Sequence, residues 1–314
     1  MNRTRILVPI DLDAKSEAAL EFARSISTRM NAMVTCLYVI ADQIIKSKRP
    51  AGSDAKLFQR RYAENQLSEI VNSVLNGSKT PFELIISSGK VHEKILEKAM
   101  DLNVQLIIMG KPHSSEDKKK SIGTTTRHII SNAHVPVIFT GRHNTEHRTN
   151  IIVPLDIFKP IGSQIICAMD TANSLCAAVT LVTVIEKEKV RLRPEYLKRL
   201  NEVRLLLRDN HIHCNSHVLT ARTTIPEDLL SFSRKVDSGM ILLLTRNERR
   251  SRGSSISAIT KEILMRSGLP VQCINPNYKS KNLPDKSEPN YKLNSLSWSP
   301  VKDHLINNQQ ELKT

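Results

Sequence analysis

An internal repeat is the feature that most constrains how this chain folds. The first half opens with Arg5-Ile-Leu-Val-Pro-Ile-Asp11 and the second with Asn150-Ile-Ile-Val-Pro-Leu-Asp156, an offset of 145 positions. Later segments match at an offset of 134 positions, as Val91-His-Glu-Lys-Ile-Leu96 does with Ile225-Pro-Glu-Asp-Leu-Leu230. The offsets differ by 11 (145 − 134), which predicts a deletion of that size between the second and third strands of the second copy.

Within the first copy, apolar runs of strand length alternate with amphipathic stretches of helix length. Strands are predicted near residues 5–10, 33–40, 82–88, 105–109 and 136–140, and helices near 15–31, 57–76, 91–103 and 124–133. Strands that alternate with helices imply right-handed crossovers and a parallel sheet flanked by helices. We therefore predict two tandem α/β domains, each with a five-stranded parallel sheet.

Domain boundaries follow from the repeat and from a change of composition near its end. We predict a first domain at residues 1–145, a second at 146–275 and a tail at 276–314. The tail contains polar, proline-bearing segments such as Leu-Pro-Asp-Lys-Ser-Glu-Pro-Asn. Because it has too few apolar residues to offset the entropy lost on ordering, we expect it to be disordered, with Trp298 as a candidate docking residue.

The charge balance indicates which partners the surface favours. Lys and Arg number 46 against 31 Asp and Glu, and the formal net charge is +15. Such a surface favours nucleotides, nucleic acid or acidic lipid. An aromatic content of 4% and the lack of a recognisable reading helix disfavour nucleic acid. No apolar run approaches the length of a membrane span, so we expect a cytoplasmic protein with no membrane partner.

The sequence contains no recognisable motif of catalytic or metal-binding residues. The five cysteines include no Cys-x-x-Cys pair, and the ten histidines form no ligand pattern, so no metal site is predicted. No Ser/His/Asp or Cys/His set stands at motif spacing. The turn Asp11-Leu-Asp-Ala-Lys-Ser16 also lacks the glycines of the adenylating relatives of this fold. We predict a protein without catalytic residues, and weak hydrolysis of ATP stays open.

One loop of the first copy carries the pattern of an anion site. The fourth strand runs into Gly110-Lys-Pro-His113, and after nine residues Gly123-Thr124-Thr125 opens the next helix. Glycines let backbone N–H groups approach phosphates, and the dipole of the helix favours negative charge at its N-terminus. Asp11 ends the first strand at the same carboxyl edge of the sheet, where open parallel sheets bind ligands.

These residues resemble a known family. Universal stress proteins open with a strand ending in Val-Pro-x-Asp and carry a second strand ending in His-Val or similar. They then have a glycine before the third helix, Ile-Met-Gly at the end of the fourth strand, and a loop of the form G-x-x-G-x9-G-[ST]. This chain supplies the elements in order, as Val8-Pro9-Ile10-Asp11, Tyr38-Val39, Gly89, Ile108-Met109-Gly110 and Gly123-Thr124. The resemblance covers about residues 1–275 and implies two tandem Rossmann-like domains.

The resemblance also implies a set of ligand contacts. In ATP-binding members of the family the residue at Asp11 contacts the adenosine part, and the residue at Val39 meets adenine through its backbone. Loop residues surround the ribose and the phosphates. Carried over by position, the cofactor-binding residues here are Pro9, Asp11, Val39, Gly110, His113, Gly123, Thr124 and Thr125.

The loop departs from the family pattern at one position and is lost from the second copy. His113 replaces the second loop glycine, and its side chain either blocks the approach of the backbone or donates a hydrogen bond to phosphate. At the matching positions the second copy has Leu244, Asn247, Ser257 and Ala258. We therefore expect nucleotide in the first copy only.

In the same family the fifth strands pair across a two-fold axis, which implies an internal pseudo-dimer. The fifth strands here, Val135-Pro-Val-Ile-Phe139 and Leu269-Pro-Val-Gln-Cys-Ile274, are short, apolar and hazardous as open edges. We predict that they lie side by side, and a further homodimer stays open. Two functions remain: a regulatory protein of the stress response that binds ATP and an unidentified protein partner, or a nucleotide-independent interaction scaffold.

Overall fold

The strands and helices of the first copy lie where the sequence predicts them. The computed structural model describes residues 3–41, 53–112, 122–141, 149–245 and 256–280. Within these residues the predicted ends are confirmed to within four positions. The elements of the first copy are β1 (Thr4–Ile10), α1 (Ala14–Ser27), β2 (Ala32–Ala41), α2 (Ser53–Leu75), β3 (Phe82–Gly89), α3 (Val91–Asp101), β4 (Leu106–Gly110), α4 (Thr124–Asn132) and β5 (Val137–Thr140).

The second copy repeats this order with a shorter second helix. Its α6 has 17 residues where α2 has 23, so part of the predicted deletion lies within this helix. A 3-10 helix at Lys187–Leu192 precedes α6. The elements are β6 (Asn150–Pro154), α5 (Gly162–Leu175), β7 (Ala178–Ile185), α6 (Arg193–Asp209), β8 (Cys214–Thr220), α7 (Ile225–Lys235), β9 (Met240–Leu244), α8 (Ala258–Arg266) and β10 (Val271–Ile274).

All ten strands form one sheet, in the order β3-β2-β1-β4-β5-β10-β9-β6-β7-β8. Pairing is parallel within each copy, and β5 and β10 pair antiparallel at the centre. Their register places Phe139 opposite Val271 and Ile138 opposite Gln272. The predicted side-by-side arrangement of the fifth strands is confirmed, and the two copies are related by a pseudo-two-fold axis between them.

Two layers of helices cover the sheet, and each layer runs across both copies. On one face α1, α2, α5 and α6 bury residues such as Leu20, Leu67 and Ile165. On the other face α3, α4, α7 and α8 bury residues such as Ile129 and Ile263. Strand residues alternate between the two cores, as they must in a pleated sheet. Because each core joins both copies, the chain is held together as one unit.

The first part of the tail is ordered, which corrects the predicted disorder from residue 276. We call Pro276–Ser280 the C-terminal strap. Its Pro276 carbonyl accepts the Ser163 hydroxyl at 2.5 Å, and Tyr278 and Ser280 donate their hydroxyls to Asp170 at 2.8 and 2.9 Å. These bonds fasten the strap to α5, more than 100 positions away in sequence. Trp298 and the rest of the tail, from residue 281, lie outside the described residues.

The central strand pair gives a stability prediction. Phe139 is 0% exposed and lies at the β5–β10 contact, whereas Phe82 on the edge strand β3 is 40% exposed. We expect Phe139→Ala to lower the free energy of unfolding in urea by about 3–5 kcal/mol, because it leaves a cavity in a core shared by both copies. Phe82→Ala is the matched control and should cost about 1 kcal/mol or less. Equal losses from the two variants would contradict this fold.

Candidate functional site

A crevice opens at the carboxyl edge of the first copy, between β1 and β4. These strands are neighbours, yet the helices that follow them, α1 and α4, lie on opposite faces of the sheet. Such a reversal leaves space above the strand ends, which is where open α/β sheets bind ligands. Asp11 follows β1, Gly110 ends β4 and Gly123 precedes α4, so the structure brings these predicted residues to one edge.

Two predicted residues on β1 and β2 lie at the floor of the crevice. Pro9 is the penultimate residue of β1 and pairs with Leu37 of β2. The β1–β2 ladder ends at Ile10 and Tyr38, one residue before Val39. Val39 continues alongside β3, opposite Ser87. The backbone of Val39 therefore extends past the end of β1 and borders the crevice beside Asp11.

The turn after β1 is built by side chains that the sequence analysis did not assign. Asp13 caps α1 by accepting the backbone N–H groups of Lys15 and Ser16 at 2.9 Å each. The Ser16 hydroxyl donates to the Asp11 carboxylate and accepts the Asp11 N–H at 2.9 Å. A short acidic residue directly before a helix is a recognisable capping pattern, so Asp13 could have been found from the sequence.

Burial and the neighbouring carboxylate set the electrostatics of this turn. Partial burial, followed by the hydrogen bond with the Asp13 carboxyl group, raises the pKa of Asp11. Burial acts to raise the pKa of Asp13 as well. The hydrogen bonds from Asp11 and from the N–H groups of Ser16 and Lys15 outweigh burial and lower this pKa. Asp11 is thus the carboxyl group of the pair that holds a proton more readily.

Gly110 is needed for packing, which differs from the predicted reason. A Cβ atom at Gly110 would lie 2.6 Å from the Lys15 Cβ and 2.9 Å from its carbonyl oxygen, closer than real Cβ contacts allow. The glycine thus lets β4 approach the first turn of α1. In the second copy α5 begins at Gly162, three positions later in the repeat than α1. This later start accompanies the side chain of Leu244 at the position of Gly110.

The N-terminus of α4, where the sequence predicts an anion site, has no side-chain cap. Its N-cap is Gly123, which has no side chain to accept the first N–H groups, and a Cβ there would meet nothing within 4 Å. Thr124 is exposed and Thr125 half-buried at the first positions of the helix. Backbone N–H groups and hydroxyls at a helix N-terminus bind anions well.

The second copy closes the equivalent positions with its own side chains. Ser257 caps α8 by accepting the Thr260 N–H at 3.2 Å. Asp228 accepts the N–H groups of Arg222 and Thr223 at 2.8 and 3.4 Å, in the loop before α7. Asp156, the counterpart of Asp11, pairs with Lys159 at 2.6 Å. At the start of α8 the second copy thus satisfies a helix N–H group with a side chain, whereas Gly123 provides no such cap for α4.

Lys111 ties the crevice of the first copy to the second copy, and the sequence analysis did not find it. Its Nζ donates to the carbonyl oxygens of Ser267 and of Leu269, the latter at 2.6 Å, just past the end of α8. Burial lowers the pKa of Lys111 to about 8. Asn275 makes a similar contact from the second copy to the first: its side-chain amide donates to the Ser131 carbonyl near the end of α4 at 2.9 Å.

Other predicted features fall outside the described residues. His113 is one of them, so its role stays a prediction. The same holds for Asn247, its counterpart in the second copy. In the part of the chain that the structure does describe, no cluster of three or more His, Cys, Asp or Glu could hold a metal ion. None of the helices described there combines the length and the hydropathy needed to cross a membrane.

Comparison with known proteins relates the first copy to one protein family. Residues 2–140 match the model of the universal stress protein family. Universal stress protein MJ0577 of Methanocaldococcus jannaschii is 27% identical over 156 residues, which cover 45% of this chain and 96% of that protein. The first copy is therefore similar to this family over almost its whole length.

Two solved structures resemble nearly the whole chain in fold. A universal stress protein from Archaeoglobus fulgidus matches with a TM-score of 0.68 at 16% identity, over 88% of this chain and 99% of that chain. The functionally unknown protein PA1789 from Pseudomonas aeruginosa matches with a TM-score of 0.58 at 15% identity, over 88% and 93% of the two chains. The tandem arrangement of two such domains is thus a fold that other proteins share.

The two glycines of the site should respond differently to an added methyl group. We expect Gly110→Ala to lower the free energy of unfolding by about 1–3 kcal/mol, because the new Cβ overlaps Lys15. Gly123→Ala places its Cβ in open space, so it should cost about 1 kcal/mol or less, from the poorer helix cap. Urea unfolding of both variants checks this. A larger loss for Gly123→Ala than for Gly110→Ala would show that the contact with Lys15 is wrong.

Lys111 should make stability depend on pH in the alkaline range. Its pKa is lowered to about 8 in the folded protein from an ordinary value of 10.5, so between these values the unfolded chain binds more protons. Stability linked to Lys111 therefore rises with pH across this window and is constant below it. We expect the free energy of unfolding of the parent to rise relative to that of Lys111→Met by up to about 3 kcal/mol as the pH increases from 8 to 10.5. A constant difference between the two proteins over that range would contradict the burial of this ammonium group.

Proposed function

We propose that the chain is a regulatory protein that binds ATP or a related adenine nucleotide in its first copy. One observation carries the proposal: Gly123 leaves the N-terminus of α4 uncapped beside the crevice, whereas Ser257 caps the matching helix of the second copy. An uncapped helix end exposes N–H donors that an anion can satisfy. The contrast within one chain supports a phosphate site in the first copy alone.

The proposed pose follows the resemblance residue by residue. The adenine lies against the backbone of Val39, past the end of β1, and Asp11 accepts hydrogen bonds from ribose hydroxyls. The phosphates extend along the loop from Gly110 and His113 to Gly123, where the N–H groups and hydroxyls of Thr124 and Thr125 receive them. Each contact pairs a donor with an acceptor, and the helix dipole adds favourable potential at the phosphates.

The role that we propose for this site is to hold nucleotide and thereby change the binding of a protein partner in the cytoplasm during stress. The proposed contacts are hydrogen-bond donors and acceptors suited to retention of a ligand. Slow hydrolysis of ATP is compatible with this role and is not required by it. Lys111 provides a physical link for such regulation, because it joins the start of the loop to the end of α8.

Calorimetric titration with ATP and with AMP tests the site. Asp11→Ala should weaken binding of both nucleotides by a similar factor, about tenfold or more, because both carry the same ribose. Gly123→Val should weaken the binding of ATP more than that of AMP, because the added side chain lies where the outer phosphates approach the helix. His113→Gly should bind ATP no more tightly than the parent if the imidazole joins the phosphate contacts.

Asp156→Ala is the matched control, because Asp156 occupies the position of Asp11 in the second copy. It should leave the affinity for both nucleotides unchanged. Equal losses from the Asp11 and Asp156 variants would overturn the single-site proposal. If the parent binds neither nucleotide at millimolar concentration, the nucleotide proposal is wrong and a nucleotide-independent scaffold takes its place.

A further inference from the structure

A second cleft lies between the two copies, away from the proposed nucleotide site. It is partly open to solvent and is lined by side chains from both copies. Its walls are the C-terminal part of α1 and the facing surface of α5. The residues at the starts of β4 and β5 also line it, and the C-terminal strap borders it through Tyr278 and Lys279. The nucleotide site, by contrast, lies past the ends of β1 and β4.

The cleft straddles the pseudo-two-fold axis, yet its two sides differ in chemistry. The first copy contributes an apolar wall that includes Met30, Pro136 and the pair Ile26 and Ile138. The positions that match this pair in the second copy, at offsets of 145 and 134, hold Thr171 and Gln272. These two polar side chains bond each other, with the Gln272 amide donating to the Thr171 hydroxyl at 2.9 Å. The first copy thus lines the cleft mostly with apolar residues, with Gln105 and His134 beside them, and the second copy lines it mostly with polar residues.

Asp170 places a charge on the polar wall. It is 9% exposed and lines the cleft, and its counterpart in the first copy is Ser25. Both of its oxygens accept neutral hydroxyls, those of Tyr278 and Ser280. Lys279 lines the same cleft, but the ion pairs of the described residues do not include one between Lys279 and Asp170. A carboxylate in this setting gains from a cation that enters the cleft.

We propose that this cleft binds a monovalent organic cation with an apolar body, of the class of the arylalkylamines and alkylamines. The ammonium group lies against Asp170, where it supplies the missing charge. The apolar body lies on the opposite wall, against Ile26, Met30 and Ile138. Burial of that body supplies affinity and the buried ion pair supplies selectivity for a cation over a neutral molecule of the same shape.

The role of Asp170 in fastening the strap does not explain the cleft. Neutral hydrogen-bond acceptors such as Asn hold hydroxyl groups without bringing a charge into a buried position. A ligand that uses both walls accounts for the charge and the space together.

Calorimetric titration of the whole chain with 2-phenylethylamine, and with the uncharged 2-phenylethanol as its match in shape, tests the proposal. The parent should bind the amine more tightly than the alcohol. Asp170→Asn should lower the affinity for the amine by at least about tenfold and leave the affinity for the alcohol within about twofold of the parent's, because only the charge is removed. Asp209→Asn, at an exposed carboxylate at the end of α6, should leave both affinities unchanged.

A second variant guards against loss of the strap in Asp170→Asn. Met30→Trp fills the cleft from the first copy and leaves Asp170 and its two hydroxyl donors in place. It should therefore weaken the binding of both compounds. The proposal is overturned if the parent binds no amine at about 10 mM, a weak affinity by any standard. It is also overturned if the alcohol binds as tightly as the amine, or if both variants bind the amine as the parent does.

Discussion

The antiparallel contact between β5 and β10 is the interaction on which the rest of the molecule depends. Each copy alone would end its sheet at a short apolar strand with unpaired N–H and C=O groups, a ready template for aggregation. Pairing these strands within one chain satisfies both edges and joins ten strands into one sheet. The helical layers then share two cores that cross the junction, so the second copy supports the first whether or not it binds a ligand.

This support explains how the second copy could change while the fold stayed intact. Ser257 satisfies the helix end that Gly123 leaves open, and Leu244 fills a position at which the first copy needs glycine. Glycine at an N-cap costs only about a few tenths of a kcal/mol relative to serine, so the first copy keeps this open helix end at little cost to stability. At the start of α8 the second copy has a side-chain hydrogen bond where α4 of the first copy has none, and Lys111 keeps the two copies in contact.

The sequence predicted the framework well because its evidence is local and repeated. Alternating apolar runs defined the strands and helices, and the central pairing was implied by the family resemblance and favoured by the short, apolar fifth strands. It failed where a residue's role depends on a distant partner. The need for Gly110 comes from Lys15, and the order of the C-terminal strap comes from Asp170. Lys111 likewise looked like a loop residue, because nothing in its own segment shows the carbonyl groups of Ser267 and Leu269.

The most direct test of this account is the number of nucleotides that one chain holds. Native mass spectrometry of the intact protein, titrated with ATP, counts bound molecules for each chain without reference to any variant. The proposed single site, at the helix end that Gly123 leaves without a side-chain cap and not at the one that Ser257 caps, predicts saturation at one ATP per chain. Saturation at two ATP molecules per chain, or an absence of binding, would contradict it.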